Sequence, residues 1–318
     1  MGTLYIDRKD ILIRDDGNTL AFYANGTKEG SVPIKPLKRV VIVGSVTLET
    51  SALHKLAQEG VTVVFLSGRS LSFNGIFHGR LHNNGVLRVK QYEMSLSDFS
   101  RLFSVEIVRR KVDTQIGLLK EALQERPDKR LPLFTALKTL EKISEKVTGL
   151  PDQDTLMGLE GGAASSYFQA YTTLFADSLG FVKRTRRPPE DPVNAMLSLC
   201  YTMLHYEMVR EIEVIGLDPF IGFYHRFEYG RESLACDLVE SFRADVDRFV
   251  WHLFRKREFT DRDFFQDSER AGCYLKKEGR KRFYPMHEQW AKEMRGSYVN
   301  SVRELTRRIM DGQDALSE

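Results

Sequence analysis

Cysteine is scarce in this 318-residue sequence: Cys200, Cys236 and Cys273 are too few and too far apart for a disulfide framework, a CxxC zinc site or a redox dithiol. Long apolar runs are missing too. Val40 to Val43 and Val61 to Leu66 fall far short of the roughly 20 residues that a membrane-spanning helix needs. The opening segment MGTLYIDRKD places Asp7, Arg8, Lys9 and Asp10 where a secretory signal would carry its apolar centre, so a cytoplasmic location is expected. No GxGxxG follows Val40 to Val43, only Gly44, which removes the pyrophosphate-binding loop that a dinucleotide fold requires. HExxH is absent, and so is an excess of one charge: 47 Lys and Arg stand against 44 Asp and Glu. A net charge of +3 is by itself a weak argument for a nucleic-acid partner.

What is present divides the chain in two. Up to about Gly85, short apolar runs (Leu4 to Ile6, Ile11 to Ile13, Leu20 to Tyr23, Val40 to Val43, Val61 to Leu66) are broken by Gly and Pro and read as strands, with one short helix in Ser51 to Gly60. From Val86 the periodicity turns helical. The expected helices are Phe103 to Gln124, Leu131 to Lys146, Ala163 to Leu179 directly after a Gly-Gly pair, Val193 to Ile215, and a single long helix from Glu232 to Arg257. Asp191 and Pro192 supply an N-cap and first-turn proline for the fourth, and Gly216 stops it. The fold class is therefore α+β, a β-rich domain over 1–85 followed by a larger all-helical domain over 86–318.

Chemistry concentrates in the second part. Asp237 and Glu240 lie at i,i+3 on one helical face, where two carboxylates need a basic partner, a shared proton or a metal ion. His225 lies in the glycine-bearing connection IGFYHRFEYG that can aim an imidazole at that helix, and Glu160 precedes Gly161 and Gly162, where a tight turn into the next helix is expected. Each also has an ordinary reading: Glu160 as a helix-start charge, His225 as a satisfied loop histidine, the acid pair as a solvated face balanced by Arg243 or Arg248. Two basic clusters offer phosphate contacts. One is Lys183, Arg184, Arg186 and Arg187 before Pro188 and Pro189; the other is Lys276, Lys277, Arg280, Lys281 and Arg282 around Gly279. A solvated positive face is the plain alternative for both.

Four ordered segments, GLEGGAASSYF from Gly158, RRPPEDPVNAMLSLCYTML from Arg186, GLDPFIGFYH from Gly216 and SLACDLVESFR from Ser233, resemble one family. It is the CRISPR-associated integrase of spacer acquisition, CRISPR-associated protein one, the larger of the two core adaptation proteins. The likeness extends more weakly to the LYID, VVIVG, VTVVFLS and IVRRKVDTQ segments. It implies an N-terminal β domain that forms a homodimer and a helical domain that binds Mg²⁺ or Mn²⁺ through Glu160, His225 and Glu240. Asp237 would support catalysis from the same acid motif. Lys183, Arg184, Arg186, Arg187, Asn194, Arg243 and Arg248 are the DNA contacts expected around that site. The implied reaction is transesterification, in which the 3′-hydroxyl of a short duplex attacks a phosphodiester at a CRISPR repeat; with water as nucleophile the same site is an endonuclease. A small ferredoxin-like adaptation protein is the implied partner. A non-catalytic DNA-binding scaffold and a metal-dependent nuclease for branched DNA remain the alternatives.

Overall fold

The computed structural model describes residues 2–68, 70–81, 84–149, 151–225, 227–266 and 271–312. Its N-terminal part contains β1 (Thr3–Ile6), β2 (Ile11–Asp16), β3 (Thr19–Ala24), β4 (Thr27–Pro33), β5 (Arg39–Val43), β6 (Thr47–Leu48), α1 (Thr50–Gln58), β7 (Thr62–Leu66) and β8 (Phe73–Phe77). These form two four-stranded sheets, ordered β1-β5-β7-β8 and β4-β3-β2-β6. In the first, β1, β5 and β7 run parallel and β8 antiparallel.

The unbroken apolar run of β5 has a direct cause. Val40 and Ile42 point into a core shared with Ile11, Ile13 and Leu20 of the second sheet and with Leu56 of α1, whereas Val41 and Val43 point into the core of the helical part. A parallel strand covered on both faces loses the alternation of a half-exposed one. The first sheet is thus the layer between the second sheet and the helices.

The helical part contains α2 (Gly85–Ser95), α3 (Asp98–Glu125), α4 (Arg130–Lys146), α5 (Gln153–Thr172), α6 (Pro192–Ile215), α7 (Ser233–Glu240), α8 (Arg243–Arg255) and α9 (Lys277–Asp311). A two-stranded antiparallel ribbon, β9 (Phe264–Gln266) with β10 (Cys273–Leu275), adds strand structure within this largely helical part. Its central helix, α6, is capped as the sequence requires: the Asp191 side chain accepts from Asn194 N–H, Pro192 opens the helix, and Gly216 closes it in the left-handed conformation, φ 100°.

Two expected helix boundaries fail. Gly161 and Gly162 do not break the chain, because α5 runs continuously from Gln153 to Thr172, starting from an Asp152 cap that accepts from Thr155 N–H. The long helix expected over Glu232 to Arg257 is two helices, α7 and α8, separated at Ser241 and Phe242. Glu160 is consequently a mid-helix residue, and Glu240 closes α7.

Candidate active site

Glu160 and Glu240 are brought together by a residue outside the expected set. Lys111, on the buried face of α3, extends its ammonium between them: Nζ pairs with Glu160 Oε1 and lies 2.6 Å from Glu240 Oε2. The second oxygen of Glu160 accepts from Tyr224 Oη at 2.8 Å. Burial and the nearby Glu160 carboxylate raise the Tyr224 phenol well above its ordinary pKa, so it stays a donor. Glu240 is 3% exposed, and its other oxygen accepts from Arg243 Nε at 2.8 Å. Burial alone would push its pKa up, but Arg243 and Lys111 outweigh burial and bring it down to about 2. Arg243 in the first turn of α8 meets Glu240, the last residue of α7, at an i,i+3 spacing that a continuous helix also allows.

Asp237 faces the other way. Wholly buried, it collects a nest of donors from the preceding connection: Phe223 N–H at 2.6 Å and Tyr224 N–H at 3.0 Å reach Oδ2, and His225 N–H at 2.9 Å reaches Oδ1. The His225 ring adds Nδ1 at 2.7 Å from Oδ1. A carboxylate there fixes the proton on Nδ1 and leaves the Nε2 lone pair for another partner. The i,i+3 acid pair therefore splits its work: Asp237 sets the histidine, while Glu240 joins Glu160.

The glycine before that histidine is a space requirement. A Cβ at Gly222 would lie 2.7 Å from Asp237 Oδ2 and 2.8 Å from the Ser233 carbonyl carbon, so a side chain there would push the loop off the nest. Phe223 pins the loop from below, its ring edge-on to Phe99 and Phe103 and its carbonyl accepting from Ser100 and Ser104 hydroxyls.

The basic residues sort by burial. Lys183, Arg186 and Arg187 are exposed and sit in the connection leading to α6. Arg184 is folded inward, donating to Asn194 Oδ1 at 2.8 Å and Ser198 Oγ at 3.1 Å. Asn194 corrects an expectation: it is 0% exposed and its amide bonds Lys183 O, Thr185 N–H and Asp191, so it shapes the loop and has no surface to offer DNA. Arg243 is likewise committed to Glu240, and Arg248 to Glu121 and Asp245, both at 2.7 Å. The second cluster is not a loop. Lys277 to Arg282 form the first turns of α9, with Arg280 paired to Asp7, Lys281 to Glu278 and Arg282 to Asp263.

Glu160, Glu240 and His225 Nε2, which has no partner among the described residues, are a set of oxygen and nitrogen donors, with an ammonium holding the carboxylates. Such a site demands positive charge. Its donors are not drawn into one tight knot; the trio whose donor atoms all lie within 4.8 Å of one another is Glu121, Glu125 and His252, among the described residues. That trio spans α3 and α8 beside Arg248 and Arg255, which already neutralise its carboxylates.

Residues 4 to 289 match the family described as CRISPR associated protein Cas1. The chain is 54% identical over 318 residues to the CRISPR-associated endonuclease Cas1 1 of Thermodesulfovibrio yellowstonii, covering 100% of each. Its fold resembles that of a CAS1 protein from Thermotoga maritima, TM-score 0.84 at 26% identity, over 99% of both chains. It also resembles a chain of a Cas6-RT-Cas1–Cas2 complex, TM-score 0.83 at 24% identity, covering 98% of this chain and 35% of that one. Family match and full-length relative together show that the chain belongs to the Cas1 family of CRISPR-associated proteins.

Proposed function

We propose that the chain is a metal-dependent DNA endonuclease and integrase that inserts short duplexes into a CRISPR array. The observation that carries this is the ammonium of Lys111 held between Glu160 and Glu240, beside a histidine whose Nδ1 is already bound to Asp237. Two carboxylates that attract one cation so strongly, with Glu240 Oε2 buried and in no aligned hydrogen bond, fit a divalent ion held by Glu160, His225 Nε2 and Glu240. A bound Mg²⁺ or Mn²⁺ supplies Lewis acidity to a phosphodiester and charge stabilisation for a departing alkoxide.

The chain's own residues do the rest. Asp237 keeps the His225 ring oriented through Nδ1. Arg243 holds Glu240 Oε1, so that the carboxylate turns its other oxygen toward Glu160. Lys183, Arg186 and Arg187 offer exposed cations to the DNA backbone from the adjoining loop. In strand transfer the attacking 3′-oxygen gains a bond to phosphorus, the bond to the displaced 3′-oxygen breaks, and the proton passes from the first hydroxyl to the second. No nucleotide cofactor is consumed, since one phosphodiester replaces another.

The partners follow the same reading: double-stranded DNA, a second copy of the chain through the β-rich part, and a small ferredoxin-like adaptation protein. The sharing of fold with a chain from a Cas1–Cas2 assembly supports a search for that protein. The test is an integration assay with a labelled short duplex and a supercoiled repeat plasmid, run in Mn²⁺ and in chelator, with and without the partner. Metal-dependent joining of label to plasmid is expected; a chain that binds the duplex but neither cuts nor joins in any divalent ion is a scaffold.

A further inference from the structure

Behind Glu240 lies a buried polar assembly that the reaction does not use directly. Asp247 stands one turn after Arg243 on α8 and is 0% exposed. Three tyrosines converge on it: Tyr167 Oη donates to Oδ2 at 2.8 Å, Tyr201 Oη donates to Oδ1, and Tyr171 Oη donates to its main-chain oxygen at 2.8 Å. Tyr167 and Tyr171 come from α5, the helix of Glu160, and Tyr201 from α6. Burying a carboxylate among hydroxyls is a costly way to fill a core that apolar side chains would fill without penalty.

The Tyr201 ring shows what this arrangement holds. Two guanidinium groups lie over it, Arg243 at 4.8 Å and Arg184 at 5.5 Å from the ring centre. Arg243 is the group that grips Glu240, and Arg184 is the inward residue of the basic loop. Two like charges this close repel, and the electron-rich ring face together with the Asp247 carboxylate offsets that repulsion. One ring therefore joins the loop that offers cations to DNA and the carboxylate of the catalytic site.

We propose that Tyr201, anchored by Asp247, is a positioning residue that sets Glu240 through Arg243 and the basic loop through Arg184. The inference rests on the reading of Glu240 as a metal ligand for its first half, and only on the basic loop for its second.

The test uses the full chain with Tyr201→Phe, which keeps the ring and removes the bond to Asp247, and Tyr201→Leu, which removes both. Mn²⁺ binding is read by electron paramagnetic resonance of the free ion, and duplex affinity is measured in chelator. Tyr201→Leu should weaken Mn²⁺ binding about tenfold, as is usual for groups that orient metal ligands, and Tyr201→Phe by a few-fold. Strand transfer by Tyr201→Phe should recover at saturating Mn²⁺, a rescue that general loosening of the core would not give. Duplex affinity should fall in Tyr201→Leu and hold in Tyr201→Phe. Wild-type Mn²⁺ and duplex binding in both variants overturns the proposal. If Tyr201→Leu does not fold, Tyr201→Phe with unchanged Mn²⁺ affinity overturns the first half, and Arg184→Leu with unchanged duplex affinity overturns the second. A wild-type chain that binds no Mn²⁺ sinks the metal site itself, and the duplex measurement still decides the loop half.

Discussion

Two buried glutamates in this molecule are each faced by two cations, and they do opposite jobs. Glu207 on α6 is 1% exposed and held by Arg39 of β5, with Nε 2.7 Å from Oε2, and by Arg295 of α9, with Nη2 3.0 Å from Oε1. Glu240 is as buried, but its partners are Arg243 and Lys111. The difference is the lysine. A guanidinium is a planar fork that satisfies a carboxylate and stays, whereas an ammonium is a point charge on a flexible stem that another cation can replace. Around Glu207 the arginines tie the middle sheet to two helices and are themselves held by further carboxylates, Arg39 by Glu211 and Arg295 by Glu288. Around Glu240 the lysine is shared with Glu160, and in the proposed reading His225, whose Nε2 has no partner among the described residues, belongs to the same site.

The largest expected effect separates activity from stability. Glu160→Ala, His225→Ala and Glu240→Ala should each abolish strand transfer in Mn²⁺ while circular dichroism keeps the folded spectrum. Glu207→Ala removes the carboxylate shared by Arg39 and Arg295, which keep only Glu211 and Glu288, and should cost about 1–3 kcal/mol in denaturant unfolding. Activity within a few-fold of wild type for any of the first three removes that residue from the site. Asp237→Ala should be milder, a loss of about 10- to 100-fold, because the histidine loses its anchor but not its nitrogen. A loss as complete as that of Glu240→Ala would make Asp237 a ligand.

Next comes the exchangeable cation itself. Lys111→Met removes the cation between Glu160 and Glu240 and leaves Arg243 as the cation on Glu240, so its melting temperature in chelator should fall by several degrees, and Mn²⁺ should restore most of the loss. Arg39→Met should also lower the melting temperature, and Mn²⁺ should not restore it. Equal rescue of both variants, or of neither, would erase the distinction between the two glutamates.

Part of the candidate site was legible in the residues, and the unread part has physical causes. His225, Asp237 and Glu240 stand at spacings that make sense alone, and α6 announces itself through Asp191, Pro192 and Gly216. Lys111 was missed because its segment, IVRRKVDTQ, entered only as a weak part of the resemblance, and Glu160 and Glu240 stand far from it in sequence. A signal existed: Ser104, Ile107, Val108, Lys111, Val112 and Gln115 share the buried stripe of α3, and a lysine on such a stripe needs a buried acid. The Gly161–Gly162 pair misled in the opposite sense, because the packing of α5 against its neighbours overrides the weak helix preference of glycine. Nothing local in the sequence marks the break after Glu240.

Acid should reach the structural region before the site, the smallest effect expected. His287 on α9 is 1% exposed, its Nδ1 3.5 Å from Tyr5 Oη and its ring packed against Phe249, Phe283 and Trp290. Burial, aided by the Arg295 guanidinium and opposed by Glu288, brings its pKa down from 6.5 to about 3. In the unfolded chain this histidine takes a proton near pH 6.5, and in the folded chain it does not, so stability is lost as pH falls from about 6.5 toward 3. Glu240 behaves differently. Its folded pKa lies below the unfolded one, so its contribution is intact above about 4.5 and is lost only as pH falls from there toward 2. Over this range the raised pKa values of Asp247, about 6, and His205, about 9, act in the opposite sense, so the check is the difference between variants: the loss of melting temperature from pH 7 to 5 should be smaller in His287→Leu than in the wild type and unchanged in Glu240→Gln. An unchanged slope in a folded His287→Leu variant would move the acid sensitivity to another group, and a slope that disappears in Glu240→Gln would place it in the site instead.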